Sequence, residues 1–277
     1  MLINNNLFTS ISNVLYYYIN NNAYIFTTTI SLISIIFIIY YLFKKNVIPP
    51  DYYNINYWER RYKAYPLAYD WYADTNKVFE DFDLNSLFNN KLKNNVIKLS
   101  KSNSKILELG CGSSTLSLYI ASKFNYKQIY ALDYSYTIIN NMKLKYNQNN
   151  NNNNNNNIKF IQGDYNNLSK IFNHQDIHLI IEKAGLDTIC TLNNIKDIQE
   201  KLFNVFKEMH SVLVNKGLII TISNKSLDFW NSNVYNRLKS ERMFQLIDTK
   251  KSTSVINNNN NNNKVIMNYY YYLLIKV

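Results

Sequence analysis

The sequence predicts an α/β domain: a seven-stranded, doubly wound and mostly parallel sheet ending in an antiparallel hairpin, preceded by an N-terminal transmembrane helix. Three observations carry this expectation. Short apolar runs alternate with helical stripes from residue 105 onward, the pattern of parallel strands joined by right-handed crossovers. The last two apolar runs have no helix between them, which suits a hairpin. Residues 23–43 carry no charge at all.

Residues 1–22 form a polar segment without Lys, Arg, Asp or Glu, and Ala23 to Phe43 reads AYIFTTTISLISIIFIIYYLF. At about 1.5 Å per residue this stretch reaches roughly 31 Å as a helix, enough for a hydrocarbon core of about 30 Å. Lys44 and Lys45 follow, so the positive-inside rule places the C-terminal side in the cytosol. The competing reading is a buried β hairpin, since Ile, Thr and Tyr favour strands. A cleaved signal peptide would need a basic n-region, which is missing here. Residues 44–56, with Pro49-Pro50, read as a linker, and 57–277 as one domain. Asparagine insertions at 149–157 and 257–263 have nothing to bury and belong in solvated loops, where added length costs little closure entropy.

Within the domain, Lys105 to Leu109 is a buried strand meeting a glycine turn, and Thr115 to Phe124 a short helix. Gln128 to Leu132 is the next strand, closed by Asp133. Tyr136 to Tyr146 puts Ile138, Ile139, Met142 and Tyr146 on one helical face. Ile158 to Ile161 and Ile177 to Ile181 are further strands. Apolar residues at 195, 198, 202, 205, 206, 209 and 213 make a helical stripe. Asn215-Lys216-Gly217 reads as a turn into a strand at Leu218 to Ser223. Met243 to Lys250 and Val265 to Lys276 complete the sheet.

Composition narrows the chemistry. A chain of 277 residues with 47% hydrophobic residues and 25 tyrosines has ample material for a core, which excludes wholesale disorder. Two cysteines exclude a disulfide scaffold and a cysteine-based zinc module, and the three histidines show no metal-ligand spacing with them. The formal charge of +11 falls entirely after Phe43. It can favour anionic lipid. Most of it is scattered lysine without an arginine stripe, so nucleic acid is not expected as a partner.

In doubly wound sheets ligands bind beyond the carboxyl ends of the strands. The loops after Leu109, Leu132, Gln162 and Ile181 are therefore the candidate site. The first is Glu108-Leu109-Gly110-Cys111-Gly112-Ser113-Ser114, whose glycines let a ligand approach the backbone; an ordinary strand-to-helix turn is the plainer alternative. Asp133 ends the next strand, where an acidic residue accepts hydrogen bonds from ribose hydroxyls. A nicotinamide dinucleotide site would have a third glycine at position 115, which is Thr115. The expected ligand is a nucleoside without pyrophosphate.

With ILELGCGSS followed by IYALDYS, the chain resembles class I S-adenosylmethionine-dependent methyltransferases, a Rossmann-like fold. The resemblance makes S-adenosyl-L-methionine the cofactor, Glu108, Gly110 and Gly112 its loop, and Asp133 the ribose acid. Gly163-Asp164-Tyr165 resembles the acidic position at the adenine edge. Upstream, Tyr57-Trp58-Glu59-Arg60-Arg61-Tyr62 and Asp70-Trp71-Tyr72 are similar to signatures of the elongation factor 1-alpha lysine methyltransferases of the endothelin-converting-enzyme-2-associated and methyltransferase-like type. That subgroup has Glu-Lys-Gly-Thr-Leu-Asp after the fourth strand. Here it is Glu182-Lys183-Ala184-Gly185-Leu186-Asp187, a departure on the substrate side. By this resemblance Trp58, Tyr62 and Trp71 close over the cofactor from an N-terminal flap, and Gly110, Gly112, Asp133, Tyr134, Asp164, Tyr165 and Lys183 line the rest.

Physical chemistry leaves several roles open. Trp58, Tyr62 and Trp71 can attract a sulfonium, stack on adenine, or anchor a helix in the core. Glu182 and Asp187 can orient an amine; Asp187 can equally be the N-cap of the next helix. No general base is identifiable. Three functions are compatible: a protein lysine methyltransferase acting on elongation factor 1-alpha or another cytosolic protein, a membrane-anchored methyltransferase of small molecules or lipids, and a scaffold without turnover. The flap signature favours the first, and the intact loop argues against the third.

Overall fold

A computed structural model describes residues 50–66, 70–91, 97–147, 157–258 and 263–277, together with 10–14, 16–17, 34 and 36–37. The chain divides into Met1–Pro50 and Asp51–Val277. In the first unit the described residues before Pro50 are helical. The expected transmembrane segment at 23–43 lies almost wholly outside the described residues, and no helix among them is long and apolar enough to cross a membrane.

In the second unit, seven strands run β1 (Lys105–Leu109), β2 (Gln128–Asp133), β3 (Ile158–Gln162), β4 (Ile177–Lys183), β5 (Leu213–Ser223), β6 (Phe244–Asn258) and β7 (Asn263–Lys276). Their order in the sheet is β3-β2-β1-β4-β5-β7-β6. The first five are parallel, and β7 enters antiparallel between β5 and β6. Chain order reverses between β1 and β4, which places a crevice at their carboxyl ends.

The helices are α1 (Ile55–Ala64), α2 (Thr75–Asp81), α3 (Leu84–Phe88), α4 (Leu116–Phe124), α5 (Tyr136–Asn147) and α6 (Ile195–Val212). A last helical stretch, α7, spans 227–240 and contains a π-turn at Asn231–Tyr235. Apolar side chains alternate between the two sheet faces. Ile106, Ile129, Ala131 and Ile181 pack with α2 to α5 on one side; Leu107, Leu109, Leu132 and Ile180 pack with α6 and α7 on the other. Both faces are covered, as a parallel sheet requires.

The structure differs from expectation in local ways. α1 begins at Ile55, inside the stretch read as linker, and the compact unit begins at Asp51. Asn215-Lys216-Gly217 does not precede a strand but lies within β5: the pairing steps from Ile177↔Leu213 to Leu179↔Leu218, with Lys216 at φ +60°. This irregularity absorbs the turn and lets the strand start early. The second asparagine insertion also contributes to pairing, since Asn257 and Asn258 oppose Lys264 and Asn263. Backbone hydrogen bonds in a hairpin do not depend on apolar side chains, so the ladder outruns the apolar pattern.

Candidate active site

A cleft lies at the carboxyl ends of β1, β2 and β4. Its floor is the turn Gly110–Ser114. Gly110 and Gly112 have φ +67° and +49°, the left-handed region that favours glycine. A Cβ on Gly112 would stand 2.8 Å from the Tyr62 hydroxyl, so α1 lies directly on the turn.

Asp133 fixes that turn. Its Oδ2 accepts from the Gly112 N–H at 2.9 Å and its Oδ1 from the Ser135 N–H at 2.9 Å. Each oxygen keeps acceptor capacity toward the cleft. Burial pushes the carboxyl up to about 6, opposed by the hydrogen bonds from Ser135 and Gly112. Glu108 takes a different part. Its Oε2 accepts from the Ser117 N–H at 3.0 Å and from the Ser117 hydroxyl, so it satisfies the first turn of α4. Burial raises its acid, against hydrogen bonds from Ser117 and Ser114.

The upstream segment closes the cleft as a flap, and its two motifs divide the work. In the first, Glu59 accepts from Thr137 N–H and Oγ1 at the start of α5. Burial raises the Glu59 acid, but the hydrogen bonds from Thr137 and Ser135 prevail and hold it below the usual value. Trp58 donates Nε1–H to the Tyr52 carbonyl at 2.7 Å and stacks on Tyr62, centroids 5.7 Å apart. In the second, Asp70 pairs with Lys183 at 2.6 Å. Trp71 meets Trp58 edge-on at 6.2 Å. Tyr72, in the left-handed region at φ +66°, donates to Asp187 Oδ2.

Of the residues singled out in the sequence, Trp58, Tyr62, Trp71, Glu108, Gly110, Gly112, Asp133, Tyr134, Tyr165, Lys183 and Asp187 line the cleft. Lys183 is there as a strut: its ammonium spans Asp70 and the Ala73 carbonyl at 3.2 Å. Asp164 is not on the wall; it caps the turn Tyr165–Lys170 by accepting from the Asn166 N–H at 2.9 Å. Glu182 is also off the wall, buried on the α6/α7 side of the sheet.

The capping role considered for Asp187 falls to Glu182, whose Oε1 accepts from the Leu186 N–H at 2.8 Å. Asp187 instead joins three elements, accepting from Tyr72, from the Ser223 hydroxyl at 2.5 Å and from the Asn224 N–H at 2.9 Å. Burial raises its acid despite those bonds. Beyond the four predicted loops, Asn224 and Lys225 after β5 also reach the cleft, as do Arg61 and Tyr65 from the flap. Arg61 stands in the flap signature, but no spacing in the sequence marks Tyr65, Asn224 or Lys225; they arrive through the packing of the flap and the end of β5.

A family model for the methyltransferase domain matches residues 100–270. No curated protein matches the chain. Among solved structures, an S-adenosylmethionine-dependent methyltransferase from Anabaena variabilis is 13% identical at a TM-score of 0.51, over 79% of this chain and 92% of that one. Another, from Methanosarcina mazei, is 15% identical at 0.45, over 65% and 94%. A putative RNA methyltransferase from Pyrococcus horikoshii is 10% identical at 0.48, over 74% and 86%. The Anabaena structure is a likeness of fold.

Proposed function

This chain belongs to the methyltransferase-domain family and is an S-adenosylmethionine-dependent methyltransferase, and we propose that its acceptor is a lysine of a cytosolic protein, with elongation factor 1-alpha the first candidate. The residues of the cleft suit the cofactor. The glycine turn offers backbone where a Cβ would intrude, Asp133 keeps acceptor capacity for ribose hydroxyls, and Trp58, Tyr62 and Trp71 form an aromatic wall. S-adenosylmethionine supplies an already activated methyl group. The protein's task is to align the acceptor with the methyl carbon and the sulfur, and to exclude water.

The lysine reading rests on the aromatic flap. An amine entering between Trp71, Tyr72 and Tyr165 leaves water for an apolar surround, which lowers its pKa from about 10.4 and frees the lone pair. The resemblance of the flap motifs supports the same reading, while Ala184-Gly185 after β4 departs from that subgroup. A second reading, a small-molecule acceptor with an anionic group, is favoured by Lys225 and Arg61 on the same wall. The full-length protein incubated with methyl-tritiated cofactor and cell extract tests both. Label in a discrete protein band, stable to base and recovered as methyl-lysine, is expected; label confined to small molecules or lipid would overturn the lysine reading.

We further propose single-pass anchoring through residues 23–43 with the domain in the cytosol, on the uncharged run and the lysines that follow it. Retention of the full chain in carbonate-washed membranes is the expected result, and release into the supernatant the contrary one.

A further inference from the structure

Tyr72 is held in a strained position. The Ala73 N–H closes a three-residue turn onto the Trp71 carbonyl at 2.8 Å, and Tyr72 stands at its centre with φ +66°. This is the rare hand of that turn, and a bulky aromatic residue in the left-handed region is an outlier. Lys183 brackets the turn, through Asp70 at 2.6 Å on one side and the Ala73 carbonyl at 3.2 Å on the other. The Tyr72 ring is buried and stacks on Tyr269, centroids 6.1 Å apart. Strain of this kind persists where the surroundings over-determine it, and it concentrates at functional sites.

The hydroxyl is committed in one direction. It donates to Asp187 Oδ2, and Asp187 is also held by the Ser223 hydroxyl at 2.5 Å and the Asn224 N–H at 2.9 Å. All three donors are neutral. Among the described residues no cation stands within ion-pair distance of this carboxylate, and Lys225 acts on it from farther away. Burial, and then the Asp187 charge, raise the Tyr72 phenol far above its usual value, so its proton stays on the oxygen. The Asn224 N–H lies close enough to that oxygen to oppose the rise. A hydroxyl has one proton and two lone pairs. With the proton turned to Asp187 and one lone pair facing Asn224, Tyr72 retains one acceptor position and no donor. Tyr72, Asp187 and Asn224 all line the cleft.

We propose that Tyr72 Oη accepts a hydrogen bond from the N–H of the acceptor amine, with Asp187 the positioning residue that turns the phenol proton away from the substrate. This rests on the amine reading of the cleft and names the atom that selects for it. A neutral amine carries N–H donors and one lone pair. An oxygen that can only accept takes an N–H and leaves the lone pair free for the methyl group. A carboxylate or phenolate acceptor would meet the same oxygen lone pair to lone pair. Positive charge developing on the nitrogen is also favoured here. The O–H bonded to a carboxylate is polarised, which makes its oxygen the better acceptor, and a buried carboxylate without a paired cation favours positive charge nearby.

Calorimetry on the full-length protein with two cofactor analogues tests this without a known acceptor. Both are S-adenosylhomocysteine with nitrogen in place of sulfur; one carries an aminoethyl arm on that nitrogen and the other a propyl arm. The arms are equally long, and only the aminoethyl arm ends in a donor, just beyond the position of the methyl group. The wild type should bind the aminoethyl form about tenfold more tightly, and Tyr72→Phe should bring the ratio close to one. If Tyr72 only held the flap, its loss would weaken both analogues alike. No preference in the wild type, or the same preference in Tyr72→Phe, overturns the proposal. Asp187→Asn should reduce the preference at least about threefold, and an unchanged ratio there overturns the proposal even if Tyr72→Phe fails to fold. The lysine reading is judged separately: an arm preference that depends on Tyr72, with methyl label found only in small amines, supports the Tyr72 role and removes lysine as the acceptor.

Discussion

At Gly112 two constraints meet: a backbone at φ +49° and a flap hydroxyl 2.8 Å from where a Cβ would stand. Gly112→Ala should destabilise the domain by about 1–3 kcal/mol and weaken cofactor binding. Adding Tyr62→Phe removes the close atom but not the backbone strain, because the next ring atom would be 3.8 Å away. The double variant should recover part of the loss, and a denaturant double-mutant cycle with no coupling would contradict the contact. Asp133 makes a pH prediction. Its folded value of about 6 exceeds the ordinary 3.8, so the native state binds more protons between those values. Its contribution to stability is therefore greatest at low pH and is lost as pH rises through 6. Cofactor affinity should run the other way, since ribose hydroxyls donate to the carboxylate. Calorimetry should give binding about tenfold weaker at pH 5 than at pH 7, and Asp133→Asn should weaken binding and flatten that dependence.

At the scale of elements, the flap is held at two points that the sequence presents as one motif each. Glu59 replaces missing partners at the start of α5, and Glu59→Ala should cost about 1 kcal/mol while loosening the cofactor. Asp70 and Tyr72 grip the end of β4 and the turn after it through Lys183 and Asp187. Lys183 is the more buried partner, its side chain 6% exposed against 19% for Asp70. Asp70→Ala leaves that ammonium with only the Ala73 carbonyl, and a loss of about 2–3 kcal/mol in urea denaturation is expected. The π-turn in α7, by contrast, has no signal in the sequence that sets it apart from an ordinary helix.

At the scale of the whole molecule, the sheet tolerates low-complexity sequence between its elements. α5 ends at Asn147 and β3 begins at Ile158, on either side of the first asparagine insertion. Deleting 150–154 halves that connection, and closure entropy then changes by about 0.6 kcal/mol, so chemical denaturation should shift by less than about 1 kcal/mol. A larger loss would mean the insertion makes contacts of its own. The order β3-β2-β1-β4-β5-β7-β6 sets a crevice toward which β1, β2 and β4 all point their carboxyl ends, and the flap covers it from outside the sheet.

The sequence alone was enough for the strands, for α4, α5 and α6, and for the glycine turn and the position of Asp133, because these follow from local periodicity and from residues whose backbone or charge is unusual where they stand. α1, α2, α3 and α7 were not legible in it. Ile195 shows the margin: it belongs to the apolar stripe of α6 yet is 51% exposed, since a helix end can turn one apolar residue to water. Only the tertiary structure decided what the carboxylates do. Asp187 is committed by donors from distant parts of the chain, Tyr72 and Ser223, whereas Glu108 and Glu182 are turned to the nearby Ser117 and Leu186 by the way the strand ends pack. A carboxylate's role is set by which donors reach it and by how much water it loses, and both depend on packing that spacing along the chain does not encode.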